Sequence, residues 1–364
     1  MTRPARTASS SDAVLQTLAW MRKHGFRPVP LHPRSKAAIN RSYVDVGYKP
    51  PDDALWQNND YGVGVVTGPA HSGPVDVDLD CEEAVYFART FLPPTDAVFG
   101  RDGKPASHYL YRVDAPTFDK RAFNDPAGES TIIEARGDQG HQTVMPGSLH
   151  EDTGEFIRWD NVPFPDVPTV AADQLMRAVR KVAIATLIVR HVWQPGYHNA
   201  PCKHLSGVFY YLDWPLEEAV QMIEAVMAYT NDRDKSRIPT VRATYKRAAE
   251  GTKVSGAGNF VVNTAAVDAI HAAGGHAICY LDAGDAGGRQ HLRRRVRADA
   301  VAAAQPPGAG LAQRRLGGGL VLGLDGLQDL LDGGTQRRAL CGVAGTVDLR
   351  LTGAFLGLCG IGHC

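Results

Sequence analysis

Three aspartates alternate with aliphatic residues in the stretch GPVDVDLDCEEA, where Asp76, Asp78 and Asp80 enclose Val77 and Leu79. Alternation at period two is the mark of a β-strand, so the carboxylates share one face and the aliphatic side chains the other. Neighbours on that face lie roughly 7 Å apart, near enough to repel and near enough to hold cations between them. Aspartate is a poor strand former, and three in one strand need an offsetting gain that a divalent metal supplies; a solvated acidic edge strand is the plainer alternative. Downstream, His108 opens the alternating run HYLYRV. The stretch TIIEARGDQGHQTVMPGSLH then carries Glu134 and Arg136 two residues apart, followed by Ser148 and His150 in a polar loop. Singly, a histidine is usually structural and a Glu-x-Arg pair is usually a surface ion pair. Together, two or three aspartates, a later strand acid and a histidine suit phosphoryl or nucleotidyl transfer, in which two divalent cations stabilise the attacking and leaving oxygens of an in-line displacement. Magnesium needs few carboxylates because substrate phosphates complete its shell, and imidazole and guanidinium groups offset the remaining triphosphate charge.

The elements that must position these groups follow from periodicity. Ser11 or Asp12 can start a helix with Val14, Leu18 and Met21 on one face and Gly25 at its end. Strands are expected over residues 26–31, 62–67, 75–80, 108–113, 131–136, 142–145 and 156–159, with one helix over 82–91 stopped by Pro93-Pro94. This is an α+β pattern with mixed or antiparallel sheets. After the proline-spaced run VPFPDVP the period becomes helical over 171–193, 205–211, 216–229 and 238–250, which predicts a small all-α domain. The expected organisation is a disordered N-terminus (1–10), a catalytic domain (11–161), a linker (162–170), the helical domain (171–250) and a poorly defined tail (251–364). From Leu281 to Cys364 there is no lysine, glutamate, asparagine, serine, tyrosine, tryptophan or methionine. Folded domains normally place Lys and Glu on their surface, so the tail is expected to be low-complexity or translated out of frame.

The order and spacing of the N-terminal motifs resemble the bifunctional DNA primase/polymerase domain of phage and plasmid replication proteins, a branch of the archaeo-eukaryotic primase superfamily. The matching pieces are HGFRPVPLHPRSK, the Trp56 and YGVGVVTG region, HSGPVDVDLD, SHYLY, IIEARGDQGHQTVMPGSLH and TGEFIRW. The resemblance implies an archaeo-eukaryotic primase-like catalytic fold. It implies that Asp78, Asp80 and Glu134 bind Mg²⁺ or Mn²⁺, with Asp76 an extra carboxylate, and that His108 steadies the incoming nucleotide. Ser107, Arg136, Ser148, His150 and Lys36 are implied as further nucleotide contacts. Ala37 and Gly147 stand where relatives tend to have proline. The segment QPGYHNAPCKHLSGVFYYLDWPLEEA is similar to the helical domain that often follows primase domains.

The chain has 364 residues, and 39 basic side chains balance 39 acidic ones, so net charge makes no argument for nucleic acid and any basic groove must be local. The start lacks the apolar core of a signal peptide, no apolar run approaches membrane-spanning length, and the six cysteines form no CxxC pair, which together predict a cytoplasmic protein with no membrane partner. No GxxxxGK[ST] motif is present, so a separate replicative helicase is the expected partner, beside a single-stranded DNA template and nucleoside triphosphates. The leading expectation is a template-directed DNA primase/polymerase with a two-metal mechanism. The alternatives are a metal-dependent nuclease, with Glu134-Ala135-Arg136 as its acidic-x-basic strand, and a non-catalytic replication-accessory DNA-binding protein.

Overall fold

The computed structural model describes residues 8–256 apart from 46, 129, 139 and 194–198, and beyond them only five short strands. The first helix, α1 (Ala8–Lys23), begins ahead of Ser11, so the residues expected to cap it lie inside it. Its stripe of Val14, Leu18 and Met21 is fully buried. Along the chain follow β1 (Pro28–Leu31), the short α2 (Ala54–Gln57), β2 (Gly62–Val66), β3 (Val75–Leu79), α3 (Glu82–Phe91), β4 (Val98–Arg101), β5 (Lys104–Val113), β6 (Arg121–Asn124), β7 (Thr131–Arg136), β8 (Gln142–Val144), β9 (Arg158–Trp159) and β10 (Thr169–Val170). Then come four helices, α4 (Ala172–Leu187), α5 (Asn199–Tyr211), α6 (Leu216–Thr230) and α7 (Arg237–Ala249). No helix among the described residues is long and apolar enough to cross a membrane.

Two sheets make the N-terminal architecture. The larger has seven strands in the order β6-β7-β3-β5-β4-β9, with β10 added alongside β5; the smaller is β1-β2-β8. All pairings of the larger sheet are antiparallel except the parallel one between β10 and β5. Because β3 is central, its two faces are buried differently. Val75, Val77 and Leu79 point to the back, where they are fully buried and where α3 and α4 pack. The front face meets the smaller sheet and α1 through a core containing Val14, Leu18, Trp56, Val63, Phe99 and Leu110. Trp56 is locked there by its indole N–H, which donates to the Gly62 carbonyl at 3.0 Å.

The turn between β2 and β3 aims the acidic strand. Gly68 has φ +92°, and a Cβ on it would meet Asp138. A Cβ on Gly73 would lie 1.9 Å from the Val66 carbonyl oxygen. Asp138 pins the turn from outside by accepting from the Ala70 N–H at 2.9 Å and the Phe118 N–H at 2.6 Å. Gly73→Ala is therefore expected to push the turn off the end of β2 and to cost about 1–3 kcal/mol, seen as a thermal midpoint several degrees lower. An unchanged midpoint would mean that the turn relaxes freely.

The structure departs from the sequence expectations in further places. Strands β4 and β6 were not anticipated: Gly100 interrupts one, and Arg121 and Asn124 give the other a polar, loop-like composition. The run expected as a linker is packed on the larger sheet. Val167 is buried, the Trp20 indole donates to the Pro165 carbonyl at 2.7 Å, and Thr169–Val170 pair with Arg112 and Val113. Prolines 163, 165 and 168 forbid a long strand there, yet they leave two residues free to pair. The helices in turn lie against the sheet's back. Val182, Leu187, Ile188 and Val192 are buried, and a π-helical turn, Ile188–Val192, delivers Arg190 to Glu83 (2.7 Å) and Asp125 (3.0 Å). Residues 251–256 belong with this part, since the Tyr211 hydroxyl donates to the Val254 carbonyl.

Contacts divide the chain into Met1–Gly274 and Gly275–Cys364. In the second unit the described strands pair antiparallel: Cys279–Leu281 with Ala339–Cys341, the latter with Thr346–Val347, and Arg314–Arg315 with Val321–Leu322. The remainder of the expected tail, and residues 1–7 of the expected disordered N-terminus, lie outside the described residues.

Candidate active site

Register brings the sequence-predicted groups together. Asp78 of β3 stands directly across from His108 of β5 on one side and from Glu134 of β7 on the other, and Asp76 stands across from Arg136. Residues opposite one another on adjacent strands project to the same face with their Cβ atoms about 5 Å apart. Asp76, Asp78, His108, Glu134 and Arg136 therefore share the front of the sheet, and Asp80 follows just past the end of β3 on the same side of a cleft of about 450 Å³. The smaller sheet closes the cleft from above: Gln142 and Val144 of β8 line it, and Thr143 between them reaches down to Asp76.

Arg136 is the hub of the charges. Its Nη2 lies 2.5 Å from Asp78 Oδ2, its Nε 2.6 Å from Glu134 Oε2 and its Nη1 3.5 Å from Asp76 Oδ2. The other Glu134 oxygen meets Lys120 Nζ at 2.5 Å. Burial opposes the charge on Arg136, but Asp78, Asp76 and Glu134 outweigh it and raise its pKa above the ordinary arginine value. Burial likewise opposes ionisation of Glu134, and Lys120 and Arg136 overcome it and hold the carboxyl below its usual range.

Asp76 is sealed, with no exposed surface. It accepts from His108 Nδ1 at 3.1 Å and from the Thr143 hydroxyl at 2.6 Å. Burial alone would push its pKa up; His108, Arg136 and Thr143 hold it below the ordinary value. For His108, burial disfavours the charged ring, but Asp78 and Asp76 outweigh it and raise its pKa above the histidine norm, which favours imidazolium. The ring lies flat on Phe99, with centroids 4.7 Å apart and planes 6° apart, and turns Nε2 to within 3.7 Å of Asp78.

Of the four acids named from the sequence, Asp78 and Asp80 line the cleft. Burial and the charge of Asp78 both raise the Asp80 pKa, and Lys104 Nζ, 3.3 Å away, partly offsets them. Two repelling carboxylates on an open cleft have the chemistry of a divalent-cation site, and an ion between them would relieve the repulsion. Among the described residues no three His, Cys, Asp or Glu side chains form a preassembled metal cage. All four acids named from sequence already have a cationic neighbour: Asp76 and Asp78 share Arg136 and His108, Glu134 holds Arg136 and Lys120, and the more exposed Asp80 holds Lys104.

Of the remaining predicted residues, Ser107, Lys36 and His150 line the cleft. Burial, then Arg101 and Lys36, lower the His150 pKa, which favours the neutral ring. Ser148 is a correction: it is buried, accepts from the Val63 N–H at 2.9 Å and donates to the Val63 carbonyl at 3.2 Å, so its hydroxyl is spent on β2 and does not reach the cleft. Sequence reasoning passed over Arg101 and Lys104, which line the cleft on either side of the Asp102-Gly103 turn joining β4 to β5. An Asp-Gly between alternating runs is a hairpin signal that could have found them. Arg101 is tied to Glu155, which also accepts from the Gly103 N–H at 2.7 Å.

Compared with known proteins, residues 17–172 match the family described as bifunctional DNA primase/polymerase, N-terminal. The match starts within α1, runs through the proline-spaced segment and ends at the first residue of α4. No curated protein matches the chain.

Proposed function

We propose that the chain, whose residues 17–172 match the bifunctional DNA primase/polymerase family, is a template-directed nucleotidyltransferase of a phage or plasmid replication module, which makes and extends primers on single-stranded DNA opened by a separate helicase. The observation that carries this reading is the register that sets Asp78 between His108 and Glu134 beneath an open, polar cleft. Magnesium or manganese held by Asp78 and Asp80 would supply positive charge to the α-phosphate and to the attacking 3′-oxygen, while both oxygens of Glu134, the third acid expected from the sequence, are taken by Lys120 and Arg136.

The protein's own side chains do the rest. Imidazolium at His108, fixed by Asp76 and by the Phe99 ring, presents Nε2 as a charged donor to a triphosphate oxygen. Arg136 offers a guanidinium beside it, held at three of its nitrogens by carboxylates, so the donor is preorganised and needs little rearrangement when substrate charge arrives. Lys104, Arg101 and Lys36 surround the mouth, where the outer phosphates would lie. The Ser107 hydroxyl is a neutral contact next to them.

A primer labelled at its 5′ end, annealed to a longer strand and incubated with the full chain and Mg²⁺ or Mn²⁺, is expected to lengthen only when nucleoside triphosphates are present. A nuclease would shorten it without them. Its acidic-x-basic strand is poorly placed for that role, since both Glu134 oxygens already carry cationic partners. Shortening without triphosphates, or no change under any condition, would refute the polymerase reading.

A further inference from the structure

The cleft uses only the front of the larger sheet. On the back, Arg177 and Arg180 lie three residues apart on α4 and share a flank of that helix, which packs on β7. Arg121, on the edge strand β6, stands across from Ala135 of β7, whose side chain is fully buried on the back face, so Arg121 projects toward the helix side. Arg177 has an exposed pairing with Asp173 at 2.7 Å. Among the described residues Arg121 and Arg180 have no hydrogen-bond or ion-pair partner. Burial of Arg180, followed by the charges of Arg121 and Arg177, lowers its pKa below the arginine norm. Three guanidinium groups gathered with so little compensating anion are unfavourable in the free protein, and an arriving polyanion would relieve them.

We propose that Arg121, Arg177 and Arg180 form a second binding site for single-stranded DNA, which takes the backbone phosphates of a strand that has left the cleft around the β6 edge. The proposal rests on the polymerase reading for the identity of the strand. Its path is set by consecutive residues: Lys120 turns to the cleft side, where it meets Glu134, and Arg121 turns to the back, so cations lie on both sides of one sheet edge. That edge is two strand spacings from β3, about 10 Å from Asp78. A duplex is too stiff to double back over a single sheet edge, whereas a single strand is flexible enough to do so.

The test is binding of the full chain to labelled deoxythymidine oligonucleotides across a salt series, without triphosphates. One oligonucleotide is long enough to reach both faces and one is too short to leave the cleft. Arg121→Gln/Arg177→Gln/Arg180→Gln is expected to weaken binding of the long one about tenfold and to reduce the slope of log affinity against log salt by about 2, at roughly 0.7 for each phosphate no longer neutralised. Arg121→Gln/Arg177→Gln, which alters only exposed side chains, should give about two thirds of that slope change and guards against misfolding of the triple variant. An unchanged slope, or an equal weakening on the short oligonucleotide, overturns the proposal. Failure of the unmodified protein to extend primers would instead refute the polymerase reading, because the binding measurement involves no catalysis.

Discussion

Asp78→Asn combined with Asp80→Asn is expected to reduce extension of a primed template by at least about a thousandfold while the chain stays folded. The acids are close in shape to the amides, so packing is kept and the negative charge is what goes. Stability should change far less than activity, because losing the Asp78 charge takes a partner from Arg136 and His108 while losing the Asp80 charge relieves repulsion. The Asp80 pKa is raised, which means that the folded state binds its proton more tightly than the unfolded chain does. Stability of the metal-free protein therefore falls as pH rises from the ordinary aspartate value of 3.8 toward the raised one, and removing the Asp80 charge removes that penalty. Arg136 keeps Glu134 and Asp76 when Asp78 is neutralised. The metal-free double variant should thus melt within a few degrees of the unmodified protein, and Mg²⁺ or Mn²⁺ should raise the midpoint of the unmodified protein only. Retained extension, or equal stabilisation of both proteins by the metal, would remove Asp78 and Asp80 from the centre.

The second large effect concerns Asp76, which touches no solvent and, in this reading, no substrate. Asp76→Asn leaves His108 and Arg136 with less negative charge in a buried place, and a loss of about 3–5 kcal/mol is expected near pH 6. The pH dependence identifies the cause. The Asp76 pKa is held down, so its contribution is present above the ordinary 3.8 and is lost as pH falls through the lowered value. The His108 pKa is held up, so its contribution is complete below 6.5 and fades as pH rises through the raised value. The deficit of Asp76→Asn, measured by denaturant unfolding, should therefore be largest between 3.8 and 6.5 and shrink on both sides. The alkaline limb of the extension rate should also move to lower pH, because His108 loses the carboxylate that accepts from its Nδ1. A deficit constant across the range would mean that Asp76 acts through packing alone.

Much of this site could be read from the chain before any folding is considered. Alternation at Val75–Leu79 and Thr131–Arg136 sets which side chains share a face, because a strand sends successive residues to opposite sides whatever surrounds it. Hence Asp76 and Asp78 had to lie together, as did Glu134 and Arg136, and the stripe on α1 had to be buried. What alternation cannot convey is depth. Asp76 and Asp80 look alike locally, yet Asp76 is closed over by Thr143, 67 residues away on the other sheet, while Asp80 stays open beside Lys104. Only the docking of the two sheets decides that one carboxylate positions a histidine and the other meets solvent. Ser148 and His150 likewise sit in one loop, but the hydroxyl is consumed by β2 and the imidazole reaches the cleft. Partners and charge states belong to the tertiary structure, because they depend on which groups from distant segments are brought into a place that water has left, whereas side-chain direction is local and is written in the order of the residues.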